Sequence, residues 1–121
     1  MLTLPPSVHI YVAAEPTDLR KSFDGLSLRV REVLRHEPLS GHLFVFFNRR
    51  RDQVRILFWD RSGFCVLAKR LERGTFRWAP DKGAVVVVLE AAELALLLEG
   101  IDLAGARRRP RWQASTPGET H

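Results

Sequence analysis

Cysteine is almost missing from this sequence, and so are tyrosine and methionine: each occurs once. The lone Cys65 excludes an internal disulfide and a multi-cysteine zinc site, and points to a reducing cytoplasm. Long hydrophobic runs are missing as well. The longest uninterrupted apolar stretch is residues 84–89, far short of the roughly 20 residues a membrane span needs. The first ten residues hold no basic stretch followed by an apolar one, so no secretory signal is expected. There is no glycine-rich phosphate loop. The histidines, His9, His36, His42 and His121, show no metal-ligand spacing, and no metal or cofactor is expected. Carboxylates are the scarcer charge, 14 Asp and Glu against 19 Lys and Arg, for a net +5.

What remains is an ordinary globular composition on a distinctive charge pattern. Hydrophobic residues make up 45% of 121 residues, enough for one domain with one core. That domain is expected over residues 1–103. Residues 104–121 are Arg-, Pro- and Ser-rich without periodicity and read as a basic, disordered tail. Sixteen of the 19 cations are arginine. Arginine presents a planar fork suited to phosphate and carboxylate, although the codon usage of a GC-rich genome produces the same enrichment. The charge is unevenly placed. Residues 49–77 carry nine cations against three anions, a net of +6, and the tail from Arg107 carries +3. The remainder is −4. Clustered charge of one sign attracts an anionic partner.

The pattern along the chain predicts an α+β fold: an antiparallel meander of four to six strands, a long helix in the N-terminal half packed on one face, and a short C-terminal helix. Residues 8–12 read as a first strand. A helix is expected over 18–35, with Thr17 as N-cap, Asp18 in the first turn, and an apolar stripe of Leu19, Phe23, Leu26, Val30 and either Val33 or Leu34. Gly25 interrupts it, which suggests a close approach between helix and sheet. Strands follow at 42–47, 53–60 and 64–71, separated by turns at 48–52 and 61–63. Residues 75–79 and 85–88 are two further strand candidates. A last helix spans 90–99, with Gly100 just beyond its end.

No catalytic constellation emerges. Asp24, Asp52, Asp60 and Glu72 are read as turn or ion-pair residues, and Cys65 as a core thiol. Binding is better supported. Arg55, Trp59, Lys69, Arg70, Arg73, Arg77 and Trp78 interleave cations with aromatic rings on adjacent expected strands, a pattern able to pair phosphates and stack bases. Arg49, Arg50 and Arg51 form a run at a hairpin tip, and Arg107, Arg108, Arg109 and Arg111 a second run in the tail. The opposing reading puts Trp59 and Trp78 in the core and leaves the arginines as a solvated face.

Four stretches carry a family resemblance: Asp-Leu-Arg-Lys-Ser-Phe-Asp-Gly-Leu at 18–26; Ser-Gly-His-Leu-Phe-Val-Phe at 40–46; Trp59-Asp60 with Gly63 and the block Ala-Lys-Arg-Leu-Glu-Arg-Gly at 68–74, then Phe76 and Trp78; and Leu94 with Leu-Leu-Glu-Gly-Ile at 97–101. Together, over about residues 4–103, the chain resembles the TnpB accessory proteins, products of the second open reading frame of the bacterial insertion-sequence family numbered sixty-six. They are unrelated to the RNA-guided nuclease that shares the name TnpB. Two departures are small: Ser22 stands where members often have glycine, and Ala79 separates Trp78 from Pro80. The resemblance implies a role in transposition, a form of DNA recombination, beside a larger transposase and another small protein of the same element. It supplies a context rather than a chemistry. The expectation is a non-catalytic cytoplasmic factor that binds DNA with weak sequence selectivity, the transposase, or both. The alternative is a pure protein-interaction module on the transposase. A nuclease or strand-transfer enzyme lacks a convergent carboxylate set. Nothing in the residues sets an oligomeric state.

Overall fold

The computed structural model describes Pro5 and residues 7–100. The basic tail expected from 104 onward lies outside the described residues. Five strands, β1 (Ile10–Ala13), β2 (Leu43–Phe47), β3 (Gln53–Trp59), β4 (Phe64–Arg70) and β5 (Val86–Leu89), form one sheet in the order β4-β3-β2-β1-β5. Helices α1 (Phe23–Arg29) and α2 (Ala91–Leu98) complete the regular structure, with a π turn at Val30–Leu34 and a 3-10 turn at Pro38–Ser40.

The sheet is mixed, which corrects the expected antiparallel meander. β2, β3 and β4 do form a meander, but β1 pairs parallel to β2, with Ile10 opposite Leu43 and Val12 opposite Val45. The cause is the connection. A strand, a helix and a second strand return the chain to its starting end, so the second strand runs parallel to the first. β5 closes the other side, antiparallel to β1, from Ile10 opposite Leu89 to Ala13 opposite Val86. The strand candidate at 85–88 is therefore β5, shifted by one residue. The candidate at 75–79 is irregular backbone.

Both faces of the sheet are covered. Leu19, Leu26, Val30 and Leu34 pack on Ala13, Phe44, Phe46 and Leu57. On the other face Leu94 and Leu97 of α2, together with Phe76 and Trp78, pack on Ile10, Val12, Val45, Phe47, Val54 and Ile56. α2 lies where expected. Glu90 and Glu93 form a reciprocal capping box at its start, and Gly100, at φ 87°, takes the left-handed position past its end.

The long helix of 18–35 is not formed. Helical backbone starts at Phe23 and covers 12 residues, the last five as the π turn. The preceding residues are engaged otherwise. The Thr17 N–H donates to the Phe47 carbonyl at 2.8 Å, and the Asp18 carboxylate accepts from the Arg20 backbone N–H at 3.0 Å. Ser22, not Thr17, occupies the N-cap position. The stripe changes accordingly: Phe23 and Val33 are exposed, and Leu34 takes the inward place. Gly25 does not serve a helix–sheet approach. A Cβ there would stand 3.0 Å from Lys21 Cβ, so the missing side chain makes room for Lys21 over the first turn.

At the start of the parallel pair, the His9 N–H donates to His42 Nδ1 at 2.9 Å, and Tyr11 stacks on the His36 ring at 4.0 Å between centroids. Burial lowers the His42 pKa, and the neighbouring His9 and His36 lower it further. An imidazolium has no lone pair at Nδ1 to accept that bond.

Two outcomes follow for stability. Leu26 is 1% exposed, so Leu26→Asp buries an unpaired carboxylate and should cost about 4 kcal/mol or more. Leu28→Asp, on the same helix at 53% exposure, should change little. Urea denaturation of both reads the difference, and a wild-type midpoint for Leu26→Asp would refute the packing. A lowered His42 pKa means that the unfolded chain binds the proton more readily. Stability is then complete above the ordinary imidazole value of 6.5 and declines as pH falls below it. Urea midpoints at pH 5 and pH 7.5 should differ less in His42→Gln than in wild type.

Candidate nucleic-acid interface

The Arg49-Arg50-Arg51 run sits on the β2–β3 hairpin, and Asn48 shapes it. Asn48 Oδ1 accepts from the Asp52 and Gln53 backbone N–H groups at 3.1 and 3.0 Å, and Nδ2 donates to Asp52 Oδ1 at 2.6 Å. The Asn48 carbonyl accepts from the Arg51 N–H at 3.1 Å, and Arg51 takes a left-handed φ of 59°. Asparagine suits this task because its short amide mimics a backbone turn. The geometry separates the three arginines. Arg49 and Arg50 stay exposed at the tip. Arg51 folds back onto the opposite core: its guanidinium carbon lies 5.1 Å from the Trp78 ring centroid, and Nη1 donates to the Trp78 carbonyl. Burial lowers the Arg51 pKa, and the indole face offers the cation a partial replacement for water.

The second wall comes from the β1–α1 connection. Asp18 and Arg20 form a two-point pair, Nε to Oδ1 at 3.0 Å and Nη2 to Oδ2 at 2.8 Å. The Arg20 guanidinium, and then its backbone N–H, hold the Asp18 carboxyl well below the usual carboxylate range. Between the walls lies an open cleft of about 510 Å³, lined by Thr17, Asp18, Arg20, Arg49, Arg50 and Arg55 among others. Four arginines face one aspartate. Among the described residues the ion pairs are Arg20–Asp18 and Arg31–Glu37, so Arg49, Arg50 and Arg55 have no carboxylate partner there.

The remaining candidates are scattered. Arg70 ends β4 opposite Gln53, hence on the same face as Arg55 and beside the cleft. Lys69 points to the other face, where Nζ donates to the Leu98 carbonyl at 2.7 Å and caps α2. Arg77 is exposed between the buried Phe76 and Trp78, on the outer side of the segment that covers that second face. Arg73 is exposed in the bend after β4. Trp78 is 6% exposed and belongs to the core. Trp59 is half-buried against Phe64, at the end of β3 away from the hairpin. Residues 49–77 thus do not present one cationic face with interleaved rings. Arg107, Arg108, Arg109 and Arg111 lie outside the described residues. Sequence reading missed Thr17, Asp18 and Arg20 as cleft residues because helical spacing drew them into α1.

Among the described residues the acids do not converge. Asp60 accepts from the Ser62 and Gly63 N–H groups and from the Cys65 thiol, which lowers its own pKa. Burial, then Asp60, raises the Cys65 pKa, the opposite of an activated nucleophile. Among the described residues no group of three or more His, Cys, Asp or Glu side chains is placed to hold a metal ion. No described helix is long and apolar enough to cross a membrane.

Fold and site define a small arginine-rich domain with a mixed sheet covered on both faces and a cationic cleft at one end. The family model described as IS66 Orf2 like protein matches residues 8–108. Two proteins of Sinorhizobium fredii (strain NBRC 101917 / NGR234) are similar over most of their length. Uncharacterized protein y4hO is 40% identical over 84% of this chain and 88% of its own. Uncharacterized protein y4jC is 35% identical over 85% and 87%. No solved structure matches the chain significantly. The chain belongs to the IS66 Orf2-like family, which connects it with insertion-sequence transposition.

Asn48 is the residue on which the hairpin geometry rests. Asn48→Ala leaves two backbone N–H groups and one carboxylate short of a partner, at a cost of about 1–3 kcal/mol. Urea denaturation measures this, and an unchanged midpoint would show that the turn holds without the amide.

Proposed function

We propose that this protein is a non-catalytic accessory factor in transposition of its insertion sequence, and that it binds DNA through arginines at the hairpin end of its sheet. The observation that carries the reading is the exposed Arg49 and Arg50, held outward by Asn48 and without a carboxylate partner among the described residues. Surface arginines free of ion pairs neutralise phosphates without first breaking an internal pair. The transposase and the other small protein of the element are the protein partners, in the cytoplasm.

A second reading, a module that binds the transposase without touching DNA, draws on Phe23, Leu28 and Val33, apolar side chains exposed on and just after α1. Apolar groups of this kind suit a protein surface better than a phosphate backbone.

Fluorescence anisotropy of a labelled duplex, from low to physiological salt, separates the two. The DNA reading expects binding with weak sequence selectivity and a steep loss with salt, because each neutralised phosphate releases condensed counterion. Absence of binding even at low salt would sink it, and capture by the transposase would then support the module. The duplex should stay intact with magnesium or manganese. Metal-dependent cleavage abolished by Asp60→Asn would overturn the non-catalytic assignment.

A further inference from the structure

The cleft between the β1–α1 connection and the β2–β3 hairpin has a composition that narrows its ligand. Arg49, Arg50 and Arg55 bring three cations without carboxylate partners among the described residues, and Arg70 stands beside them. Among the described residues no aromatic side chain lines the cleft, whereas protein–protein sites are enriched in buried tryptophan and tyrosine anchors. Thr17, 4% exposed, also lines it, and its hydroxyl has no hydrogen-bond partner among the described residues. Several guanidinium forks without an aromatic anchor among the described residues suit a ligand whose charge repeats and whose oxygens accept hydrogen bonds in pairs.

We propose that this cleft is the site where the phosphodiester backbone of a nucleic acid docks, and that Asp18 limits its affinity by holding Arg20. The proposal rests on the DNA reading above and assigns it a place. The Asp18 carboxylate occupies both Nε and Nη2 of Arg20. It therefore competes with the ligand for one of the four cleft arginines, and among the described residues it is the only anion in the lining. Asp18 is a positioning residue with a second effect, since its charge opposes every phosphate that enters. An accessory factor that must leave its DNA gains from such a restraint, because counterion-driven affinity rises with each cation released to the backbone.

Asp18→Asn isolates this role. It keeps a carbonyl oxygen for the Arg20 backbone N–H while removing the charge that holds the guanidinium. The measurement is anisotropy of a labelled duplex against salt, on the full 121-residue chain, with thermal melts confirming that each variant folds. Asp18→Asn should bind more tightly and steepen the slope of log affinity against log salt by about one unit. Adding Arg20→Ala should return the slope to near the wild-type value. Arg49→Ala with Arg50→Ala should flatten it by up to about two units. Arg31→Ala, which removes the same charge at the Glu37 pair instead of in the cleft, should change it far less.

Wild-type binding with slopes unmoved by the Arg49 and Arg50 substitutions would overturn the cleft while leaving the DNA reading intact. An Asp18→Asn slope equal to wild type would overturn the part given to Asp18 and Arg20. Competition by polyglutamate as effective as that of unlabelled duplex at equal charge would make the site one for acidic protein instead. No duplex binding by wild type at low salt would remove the cleft and the DNA reading together.

Discussion

β2 is buried along its whole length, and the rest of the domain follows from that. All five of its residues, Leu43, Phe44, Val45, Phe46 and Phe47, are shielded from water. Successive strand side chains point to opposite faces, so a strand without a polar position requires cover on both sides. α1 and the π turn supply one cover, and α2 with residues 71–78 the other. The flanks must be filled as well, since an open edge along β2 would leave backbone groups unpaired. β1 fills one flank and β3 the other. Phe44 and Phe46 face the α1 layer while Val45 and Phe47 face the α2 layer, so one short segment joins the two halves of the core.

The same strand sets the geometry of the cleft. Its last residue, Phe47, gives its carbonyl to the Thr17 N–H, and the next residue, Asn48, organises the hairpin. Both walls are thus anchored within one residue of each other on the most buried strand of the domain. The hairpin is tied from below too: the Phe76 N–H donates to the Arg51 carbonyl at 2.7 Å, and the Leu71 N–H to the Asp52 carbonyl at 2.8 Å. These bonds let residues 71–78 cover the sheet without being a strand. Phe76 and Trp78 reach the core from irregular backbone because the hairpin supplies their hydrogen-bond partners.

Much of this was legible in the residues, and the failures have specific causes. β2, β3 and α2 stood out because an apolar run, strict alternation and a leucine stripe are local signals. The parallel pairing was legible in principle, since strand, helix and strand in succession favour it, but the later hairpins suggested a uniform meander. The unbroken run of 43–47 already implied cover on both faces. The helix start was misplaced because Thr17 and Asp18 make a good N-terminal signal wherever they occur. Their actual partners, the Phe47 carbonyl and Arg20, were hidden: the first lies 30 residues away and the second competes through a local turn. The π turn, which brings Leu34 rather than Val33 inward, has no signature in helical spacing.

The charge pattern shows why a count of cations along a segment is a poor guide to a surface. Residues 49–77 are +6 as a stretch of sequence. Alternation along the strands sends Arg55 and Arg70 to one face and Lys69 to the other, where it closes a helix. Arg51 is spent on Trp78, and Arg77 lies outside the second layer. Few of the nine cations thus converge, and the convergence depends on a residue outside the segment. Arg20 arrives from the β1–α1 connection already paired with Asp18. A cationic site built in this way draws its field from two distant stretches. Its strength is then set less by the number of arginines than by how many are released from a carboxylate within the fold.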